Sequence, residues 1–305
     1  MSKIAVLIPC LNEERAIRKV IKDFQLHLPD SDIYVYDNNS QDKTFELAKK
    51  TGVIVKKELR QGKGFVIQKM FREIKADIYV LVDGDNTYSA KDSNKMIKKV
   101  ADGFDMVIGD RISSGFYRNE NKRSFHEFGN KLVCFLVNFL FKAKLRDIMS
   151  GYRVFSRHFV KNYPVLVGGF QLETDMTIFA LDKNFTIQEM PIRYRNRTNG
   201  SVSKLNTVSD GVKVLLVIFN LFRYYRPLLY FSSLSVVFLG FGLLVGIPVI
   251  YEFFETQYVT KIPSAILAVA FILLSAFVFI GGLILDALRH LSRESFELMM
   301  KKQGK

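Results

Sequence analysis

Residues 78–86 read Ile-Tyr-Val-Leu-Val-Asp-Gly-Asp-Asn, so an uncharged apolar run ends abruptly in two carboxylates. A run of this kind is typical of a strand buried in a parallel sheet. Asp83 and Asp85 would then lie at the carboxyl end of the strand, the edge where open α/β sheets bind ligands. Two carboxylates on one turn can share Mg²⁺ or Mn²⁺, because these cations prefer oxygen ligands. The stretch predicts an α/β fold with a metal site at Asp83 and Asp85; the alternative is a solvated acidic turn.

The chain on either side of this stretch alternates short β-branched runs with amphipathic ones. The predicted strands are Ile4–Ile8, Asp32–Tyr36, Val53–Lys56 and Met106–Gly109, and the predicted helices are Glu13–Leu28, Lys43–Thr51, Lys63–Ile74 and Ser89–Val100. This order predicts a doubly wound sheet with helices on both faces.

Segments rich in polar residues follow the first two predicted strands. The candidate binding residues in them are Pro9, Leu11, Asn12 and Glu13 after the first strand, and Asp37 and Asn39 after the second. They predict a pocket for a nucleobase and a ribose, with Asp37 accepting hydrogen bonds from the base. The alternative is helix capping by Asn12 and by residues 40–42. Lys63 lies between two glycines, which would let the backbone approach a bound nucleotide closely.

The chain has 305 residues and a formal net charge of +14 at pH 7. This charge indicates an anionic partner, which could be nucleic acid, acidic lipid head groups or a phosphorylated small molecule. The two cysteines, Cys10 and Cys134, lie far apart and outside any CxxC pattern. That spacing argues against a disulfide framework and a zinc site, and both are interpreted as buried thiols in a reducing compartment. The apolar start at Ile4–Ile8 is too short for the core of a signal peptide.

Two uncharged apolar runs near the C-terminus, Leu228–Tyr251 and Pro263–Leu285, have the length that crosses a bilayer. The alternative, a buried helical hairpin of a soluble protein, would normally show a polar face. The short linker between the runs carries two acids and one lysine, whereas both flanks are rich in arginine and lysine. The positive-inside bias therefore predicts a hairpin over 228–285 with both termini cytosolic, including a basic tail at 286–305.

Two further stretches, Lys122–Phe141 and Thr207–Tyr225, combine apolar faces with basic residues. We expect both to lie as amphipathic helices in the membrane interface, near 122–141 and within a juxtamembrane segment at 205–227. The alternative is an ordinary amphipathic helix packed on the sheet. Residues 1–204 form the predicted cytosolic catalytic domain.

The motifs at the strand ends are similar to those of a known family. The runs Ile8-Pro9-Cys10-Leu11-Asn12-Glu13-Glu14, Asp37-Asn38-Asn39-Ser40 and Asp83-Gly84-Asp85 resemble the GT-A core of family 2 glycosyltransferases, and this resemblance implies a doubly wound mixed sheet. Later motifs resemble its polyprenyl-phosphate branch, which includes dolichyl-phosphate mannose synthases and bacterial undecaprenyl-phosphate sugar transferases. These motifs are Ile108-Gly109-Asp110-Arg111, Asp147-Ile148-Met149-Ser150-Gly151-Tyr152-Arg153, Glu173-Thr174-Asp175 and Gly200-Ser201-Val202-Ser203-Lys204-Leu205.

The resemblance implies an inverting sugar transfer. In that family a lipid phosphate attacks the anomeric carbon of a nucleotide diphosphate sugar, and the nucleoside diphosphate leaves with Mg²⁺ or Mn²⁺. UDP-glucose or UDP-N-acetylglucosamine is the expected donor, and undecaprenyl phosphate in the plasma membrane is the expected acceptor. Related proteins with two spans also imply a homo-oligomer, namely a tetramer.

The resemblance assigns roles to particular residues. Asp85, Arg111, Asp147 and Arg153 are expected to be catalytic, and the arginines would hold the acceptor phosphate, because a guanidinium can bind two phosphate oxygens. Nucleotide binding is expected of Pro9, Leu11, Asn12, Glu13, Asp37, Asn39, Lys63 and Asp83. Sugar or acceptor binding is expected of Glu173, Asp175, Arg197, Ser203 and Lys204. Asp147, Glu173 and Asp175 would either hold the sugar hydroxyls or orient the arginines, and the alternative for Glu173 is a structural acid on a helix.

Three other functions are weighed against this one. A processive polysaccharide synthase shares the GT-A core but uses a Gln-x-x-Arg-Trp motif, and this chain contains no tryptophan. A catalytically inactive, membrane-tethered scaffold for nucleotide sugars would be expected to have lost its acids, whereas Asp83 and Asp85 are both present. Nucleic-acid binding is not expected, because the basic residues cluster near the apolar runs without an aromatic-basic motif.

Overall fold

The computed structural model describes residues 2–113, 124–165, 172–195, 219–220 and 222–303, without the side chains of 124–130 and 303. The chain divides into two units, Met1–Val214 and Leu215–Lys305. Arg197, Ser203, Lys204 and most of the predicted juxtamembrane segment lie outside the described residues.

The first unit contains every strand and helix predicted up to residue 109, with boundaries shifted by a few residues. Its strands are Ile4–Cys10 (β1), Asp32–Asp37 (β2), Ile54–Lys57 (β3), Ile78–Leu81 (β4), Met106–Asp110 (β5), Arg153–Ser156 (β6) and Ile187–Pro191 (β7). Its helices are Ile17–His27 (α1), Thr44–Lys49 (α2), Lys63–Glu73 (α3), Ser93–Ala101 (α4), Ser124–Phe141 (α5), Arg157–Asn162 (α6) and Leu172–Asp182 (α7), with a 3₁₀ turn at Ala90–Asp92.

The strands form one sheet in the order β3-β2-β1-β4-β6-β5-β7. β1 pairs in parallel with β2 and β4, and β5 pairs in parallel with β7, whereas β6 runs antiparallel between β4 and β5. The predicted α/β class with a doubly wound mixed sheet is confirmed. Because β6 runs in the opposite direction, its first residue, Arg153, pairs with Leu81 near the carboxyl end of β4. We call this side, with the carboxyl ends of β1, β2, β4 and β5 and the start of β6, the ligand edge.

Apolar side chains cover both faces of the central strands. On one face, Val6 and Val80 belong to a buried cluster with Ile21 and Phe24 of α1. Elsewhere in the core, Phe71 of α3 packs edge-on against Tyr79 and Phe155. Each aliphatic side chain buried in this way contributes about 1.5–3 kcal/mol, so the sheet is a rigid base for the loops at its ligand edge.

The helix α5 covers most of the stretch expected to lie in the membrane interface. Val133, Val137 and Leu140 are buried, so one face packs on the protein. Phe135 and Phe139, one helical turn apart, are 64% and 65% exposed and stack on each other. An exposed aromatic pair of this kind suits contact with an apolar boundary. The location of α5 in a membrane interface stays a prediction.

The second unit contains two long apolar helices, Pro227–Thr256 (α8) and Ile262–Gln303 (α9). Their most apolar windows have mean hydropathies of 2.3 and 2.7, and by length and composition both could cross a membrane. They include the predicted spans at 228–251 and 263–285. Helix α9 continues well beyond the second predicted span, so most of the predicted basic tail at 286–305 is helical.

Small residues bring α8 and α9 close together. Gly242 lies against Ile272, and Gly246 lies against Ala268. The hydroxyls of Ser235 and Ser275 are 2.9 Å apart, and Ser275 Oγ also donates to the Ser235 carbonyl at 2.9 Å. Between apolar helices, close backbone approach and hydrogen bonds of this kind favour association in a lipid environment.

Gly242→Leu is expected to weaken the packing of α8 on α9. A Cβ at this position would lie 2.8 Å from Ile272 Cγ1 and 3.3 Å from the Ala268 carbonyl oxygen, so overpacking would cost about 1–3 kcal/mol. Thermal unfolding of the full chain in detergent should show a lower Tm. Gly240→Leu is the matched control, because a Cβ at 240 meets nothing within 4 Å. Equal losses of Tm for the two variants would contradict this packing.

Candidate active site

The acidic turn after β4 lies at the ligand edge and is shaped by one of its own acids. Asp85 is 5% exposed, and its Oδ1 accepts hydrogen bonds from Thr87 N at 3.1 Å and from Thr87 Oγ1 at 2.6 Å. Asn86, between them, has a φ of 62°, a left-handed conformation that asparagine tolerates better than most residues. The backbone of the turn is therefore organised before any ligand binds.

Lys63 links the acidic turn to α3 and α7. It is the first residue of α3, and its Nζ lies 2.6 Å from Asp83 Oδ1 and 2.6 Å from Glu173 Oε1. Glu173 belongs to the first turn of α7. Burial by itself would lower the pKa of Lys63, but the two carboxylates outweigh burial and raise the pKa above its ordinary value. Lys63 is therefore a permanent positive charge within a group of acids.

The loop before β6 packs directly against the acidic turn. A Cβ at Gly151 would overlap the Asp83 carboxylate, so any other residue at 151 would have to displace that carboxylate. Gly151 N donates a hydrogen bond to Tyr88 Oη at 3.2 Å. Burial raises the pKa of Tyr88, so its hydroxyl stays protonated at neutral pH. The two loops thus form one continuous surface.

Arg111 follows β5 and forms an ion pair with Asp147. Its Nε lies 2.7 Å from Asp147 Oδ2 and its Nη2 lies 2.8 Å from Oδ1, while the Arg111 backbone N donates to Oδ2 at 3.1 Å. Asp147 is fully buried, and the Arg111 side chain is 12% exposed. The guanidinium carbon lies 5.7 Å from the ring centroid of Tyr194, which in turn packs against Tyr88 with ring centroids 5.5 Å apart. These contacts fix the orientation of the guanidinium and connect it to the acidic turn.

Arg153 does not lie where the resemblance led us to expect it. It is fully buried: its Nε donates to the Ser150 carbonyl at 2.9 Å, its Nη2 to the Ile148 carbonyl at 2.6 Å and its Nη1 to Thr177 Oγ1 at 2.9 Å. Burial lowers its pKa to about 10. A guanidinium enclosed and bonded in this way does not reach an acceptor phosphate. We correct the expected contact with the acceptor: Arg153 shapes the loop at 147–151.

The ends of β1 and β2 form the other part of the ligand edge. Asp37 is fully buried and accepts hydrogen bonds from Ser40 N at 3.1 Å and from the Ser40 hydroxyl. Ser40 Oγ accepts from Asn12 N at 2.9 Å, and Asn12 Oδ1 accepts from Gln41 N at 2.8 Å. Asn12 therefore does not cap α1, which begins only at Ile17, and instead joins the two loops.

Asn38, which was not among the predicted site residues, holds the loop between β3 and α3. Its Nδ2 donates to the carbonyls of Glu58 at 3.1 Å and Arg60 at 2.8 Å, and its Oδ1 accepts from Gly62 N at 2.7 Å. Gly62 has a φ of 134°, a conformation that favours glycine. The Asn38 side chain therefore positions the loop that leads into Lys63.

The remaining predicted site residues differ from one another in burial and in hydrogen bonding. Pro9 is buried in β1, Leu11 and Glu13 are partly exposed, and Asn39 has a φ of 63°. Glu13 N donates to Thr44 Oγ1 at 2.8 Å. Asp175 accepts a hydrogen bond from the Tyr163 hydroxyl at 2.6 Å, and burial raises its pKa. The two acids of the α7 motif therefore have different partners. Glu173 contacts Lys63, and Asp175 is hydrogen-bonded to Tyr163.

Comparison with known proteins shows the family to which this chain belongs. Residues 5–163, more than half of the chain, match the model of the family described as glycosyl transferase family 2. The chain belongs to glycosyl transferase family 2. Similarity to one relative extends along nearly the whole chain: glycosyltransferase AglJ of Haloferax volcanii is 29% identical over 295 residues, which cover 96% of each protein.

Two further similarities bear on this family 2 glycosyltransferase. The dolichyl-phosphate hexose transferase of Haloferax volcanii is 28% identical over 211 residues, covering 69% of this chain and 90% of that protein. Glucosyl-3-phosphoglycerate synthase of Mycobacterium tuberculosis, solved with Mn²⁺ and UDP-glucose, superposes with a TM-score of 0.58 at 21% identity, covering 71% of this chain and 79% of that one. The structural likeness shows the shared fold.

The acidic turn of the glycosyltransferase fits a hard divalent cation. Asp83 and Asp85 supply carboxylates, and the neighbouring Asn86 has a buried Oδ1 without a hydrogen-bond partner in the described part of the chain. Within that part, no three His, Cys, Asp or Glu side chains are arranged to hold a metal by themselves. A cation at this turn would therefore take further ligands from a bound diphosphate or from water, as Mg²⁺ commonly does.

Besides Asn38, three side chains that were not among the predicted residues support the glycosyltransferase site: Tyr88, Tyr194 and Glu189. Glu189 Oε1 accepts from Asp147 N at 2.8 Å, and burial raises the pKa of Glu189. Tyr88 lies three residues after Asp85, and this position just past a strand end was a usable signal. Glu189 lies in β7, and Tyr194 follows that strand. Because both are far along the chain from their partners, no local pattern indicated them.

Proposed function

We propose that this glycosyltransferase transfers a sugar, with inversion, from a nucleotide diphosphate sugar to a polyprenyl phosphate at the cytosolic membrane surface. The observation that carries the proposal is a chain of contacts that links opposite charges at the ligand edge. The acidic turn of Asp83 and Asp85 leads directly into Tyr88, which packs against Tyr194, and Tyr194 contacts the guanidinium of Arg111. With a divalent cation held by the acids, this arrangement suits a leaving diphosphate at the turn and an attacking phosphate at Arg111.

The donor would bind where β1, β2 and β4 end. We propose that Asp37 at the end of β2 and Asn12 in the loop after β1 contact the base and ribose. Lys63 lies at the N-terminus of α3, where helix N–H groups favour anions. Mg²⁺ or Mn²⁺ held by Asp83 and Asp85 would supply positive charge to the departing nucleotide. UDP-glucose and UDP-N-acetylglucosamine are the proposed donors.

The acceptor would bind beside Arg111. A phosphate monoester has its second pKa near 6, so it is largely ionised at neutral pH without a general base. Asp147 holds the guanidinium in one orientation before the acceptor arrives, which lowers the entropic cost of aligning the phosphate. The relative named a dolichyl-phosphate hexose transferase supports a polyprenyl phosphate acceptor, and undecaprenyl phosphate is the member of that class that we propose.

Several elements of the protein would contact the membrane. We propose that α8 and α9 carry the hairpin at 228–285, and that residues 1–204 and both termini are cytosolic. The exposed Phe135 and Phe139, next to the exposed Lys131, support contact of α5 with the lipid interface. Self-association into a homo-oligomer, a tetramer by family analogy, stays a prediction.

A turnover assay tests this function. Full-length protein in nanodiscs is incubated with Mg²⁺ or Mn²⁺ and with UDP-glucose, UDP-N-acetylglucosamine or GDP-mannose, each with undecaprenyl phosphate, dolichyl phosphate or no lipid acceptor. We expect UDP release that requires the lipid phosphate, and a lipid whose mass increases by one sugar. Binding of donors without turnover under every condition would indicate the inactive scaffold, and a growing polymer would indicate a processive synthase.

A further inference from the structure

Lys63 lies where a helix does not favour a cation. It is the first residue of α3, Gly62 precedes it, and the first turn contains no acidic residue. The N-terminus of a helix carries a partial positive charge, so a lysine there weakens the helix and an anion strengthens it. The position of Lys63 is therefore explained by its partners, Asp83 and Glu173, and not by the stability of α3.

The two partners of Lys63 differ in their exposure. Both contacts are 2.6 Å long, but the Asp83 side chain is 30% exposed and the Glu173 side chain is 11% exposed. A cation that enters from solvent therefore meets Asp83 more readily than Glu173. Glu173 is the partner better suited to keep the ammonium.

One divalent cation would balance the charges of four neighbouring side chains. Asp83, Asp85 and Glu173 are acids and Lys63, which bonds to Asp83 and Glu173, is a base, so these four described side chains together carry a net charge of −2 when ionised. Asp83 Oδ1 is already bonded to the ammonium, and Gly151 packs against the same carboxylate. A cation that binds Asp83 therefore competes with Lys63. Loss of both carboxylate partners would leave the partly buried ammonium without a counter-charge, and retention of Glu173 avoids that cost.

We propose that Lys63 is an internal counter-ion that exchanges with the divalent cation at Asp83, and that Glu173 is the positioning residue that retains Lys63 during the exchange. The inference rests on the proposed function, because it needs a cation at the acidic turn and the diphosphate of the donor. After the exchange, the ammonium stays bonded to Glu173 and turns from Asp83 to the diphosphate at the N-terminus of α3. Cation and nucleotide therefore strengthen each other's binding.

Mn²⁺ binding tests the exchange without any turnover. The electron paramagnetic resonance signal of free Mn²⁺ is titrated against the full-length protein in detergent, with and without UDP. Without UDP, Lys63→Met is expected to tighten Mn²⁺ binding about tenfold, because no ammonium competes for Asp83. The same variant should also lose most of the tightening that UDP gives to the wild type. Lys69→Met is the matched control on the same helix, since Lys69 Nζ bonds to the Lys57 carbonyl at 2.7 Å, and it should bind Mn²⁺ like the wild type.

Glu173→Gln is expected to change the affinity for Mn²⁺ in the opposite direction. The cluster loses one negative charge and Lys63 stays on Asp83, so Mn²⁺ binding should weaken about tenfold. Combining Lys63→Met with Glu173→Gln should restore part of this loss. If Lys63→Met lowers the Tm strongly, Lys63→Gln replaces it, because glutamine can still donate a hydrogen bond to either carboxylate.

The possible outcomes distinguish a failure of the Lys63 exchange from a failure of the proposed cation site. If removal of the Lys63 ammonium leaves Mn²⁺ binding unchanged or weaker while the wild type binds Mn²⁺ with UDP, the exchange is overturned and the cation site stands. If the wild type binds no Mn²⁺ even with UDP, the exchange is overturned together with the metal-assisted form of the proposed function.

Discussion

Asp85→Asn is expected to lower kcat for sugar transfer by about 10³-fold or more while the Tm stays nearly unchanged. Asparagine keeps an Oδ1 that can accept the hydrogen bonds from Thr87 N and Oγ1, so the turn should keep its shape. What it removes is a negative charge from the site proposed to hold Mg²⁺ or Mn²⁺. Loss of about 4 kcal/mol of charge stabilisation in the transition state corresponds to a factor of about 10³ in rate.

Asp77→Asn is the matched control for this prediction. Asp77 precedes the same strand, β4, but lies at its opposite end, where it accepts a hydrogen bond from Lys3 N at 2.9 Å. Its substitution should leave the rate of UDP release unchanged. Steady-state rates and thermal unfolding, measured side by side on both variants, check the pair. A fully active Asp85→Asn protein would remove the acid pair from the mechanism.

Arg153→Met is expected to destabilise the protein by about 3–5 kcal/mol and to impair the use of donor and acceptor together. The substitution leaves the carbonyls of Ile148 and Ser150 without their charged donor inside the fold. The loop at 147–151, which packs Gly151 against Asp83 and positions Asp147, would lose its shape. A denaturant titration measures the loss of stability, and separate titrations of each substrate measure the two kinetic effects.

Arg111→Lys gives the contrasting result. Lysine keeps the charge but loses the planar fork that bonds to both oxygens of Asp147, so we expect a higher KM for the acceptor, a smaller change for the donor and a modest loss of stability. A selective effect on the acceptor in Arg153→Met, with normal stability, would contradict the positioning role given to Arg153.

Local patterns were sufficient for the first half of the fold. The apolar runs before Asp83 and before Pro9 predicted strands that the structure contains, because a buried strand needs continuous apolar side chains over its own few residues. The same holds for the length and hydropathy of α8 and α9. The strand β6 was missed, since it begins with a buried arginine and contains only two apolar residues, Val154 and Phe155.

The pairing of site residues followed no local pattern. Lys63 and Glu173 are 110 positions apart, and Arg111 and Asp147 are 36 positions apart. Motif resemblance named Glu173, Arg111 and Asp147, with Asp147 as a candidate for orienting the arginines, and the two neighbouring glycines drew attention to Lys63. Neither indicated that Lys63 pairs with Glu173. It also gave Arg153 a direct contact with the acceptor, because a motif records residue type and not whether the side chain points into the protein or toward the ligand.

The amino-acid sequence by itself determined the element types, the α/β class and the placement of Asp83 and Asp85 at a strand end, because these depend on periodicity and on residues adjacent in the chain. Only the tertiary structure decided that Lys63 joins Asp83 to Glu173, that Arg111 is held by a buried Asp147 and that Arg153 is enclosed. These contacts arise where the antiparallel strand β6 brings the 147–151 loop beside β4, and a pairing over such distances depends on the packing of the whole sheet.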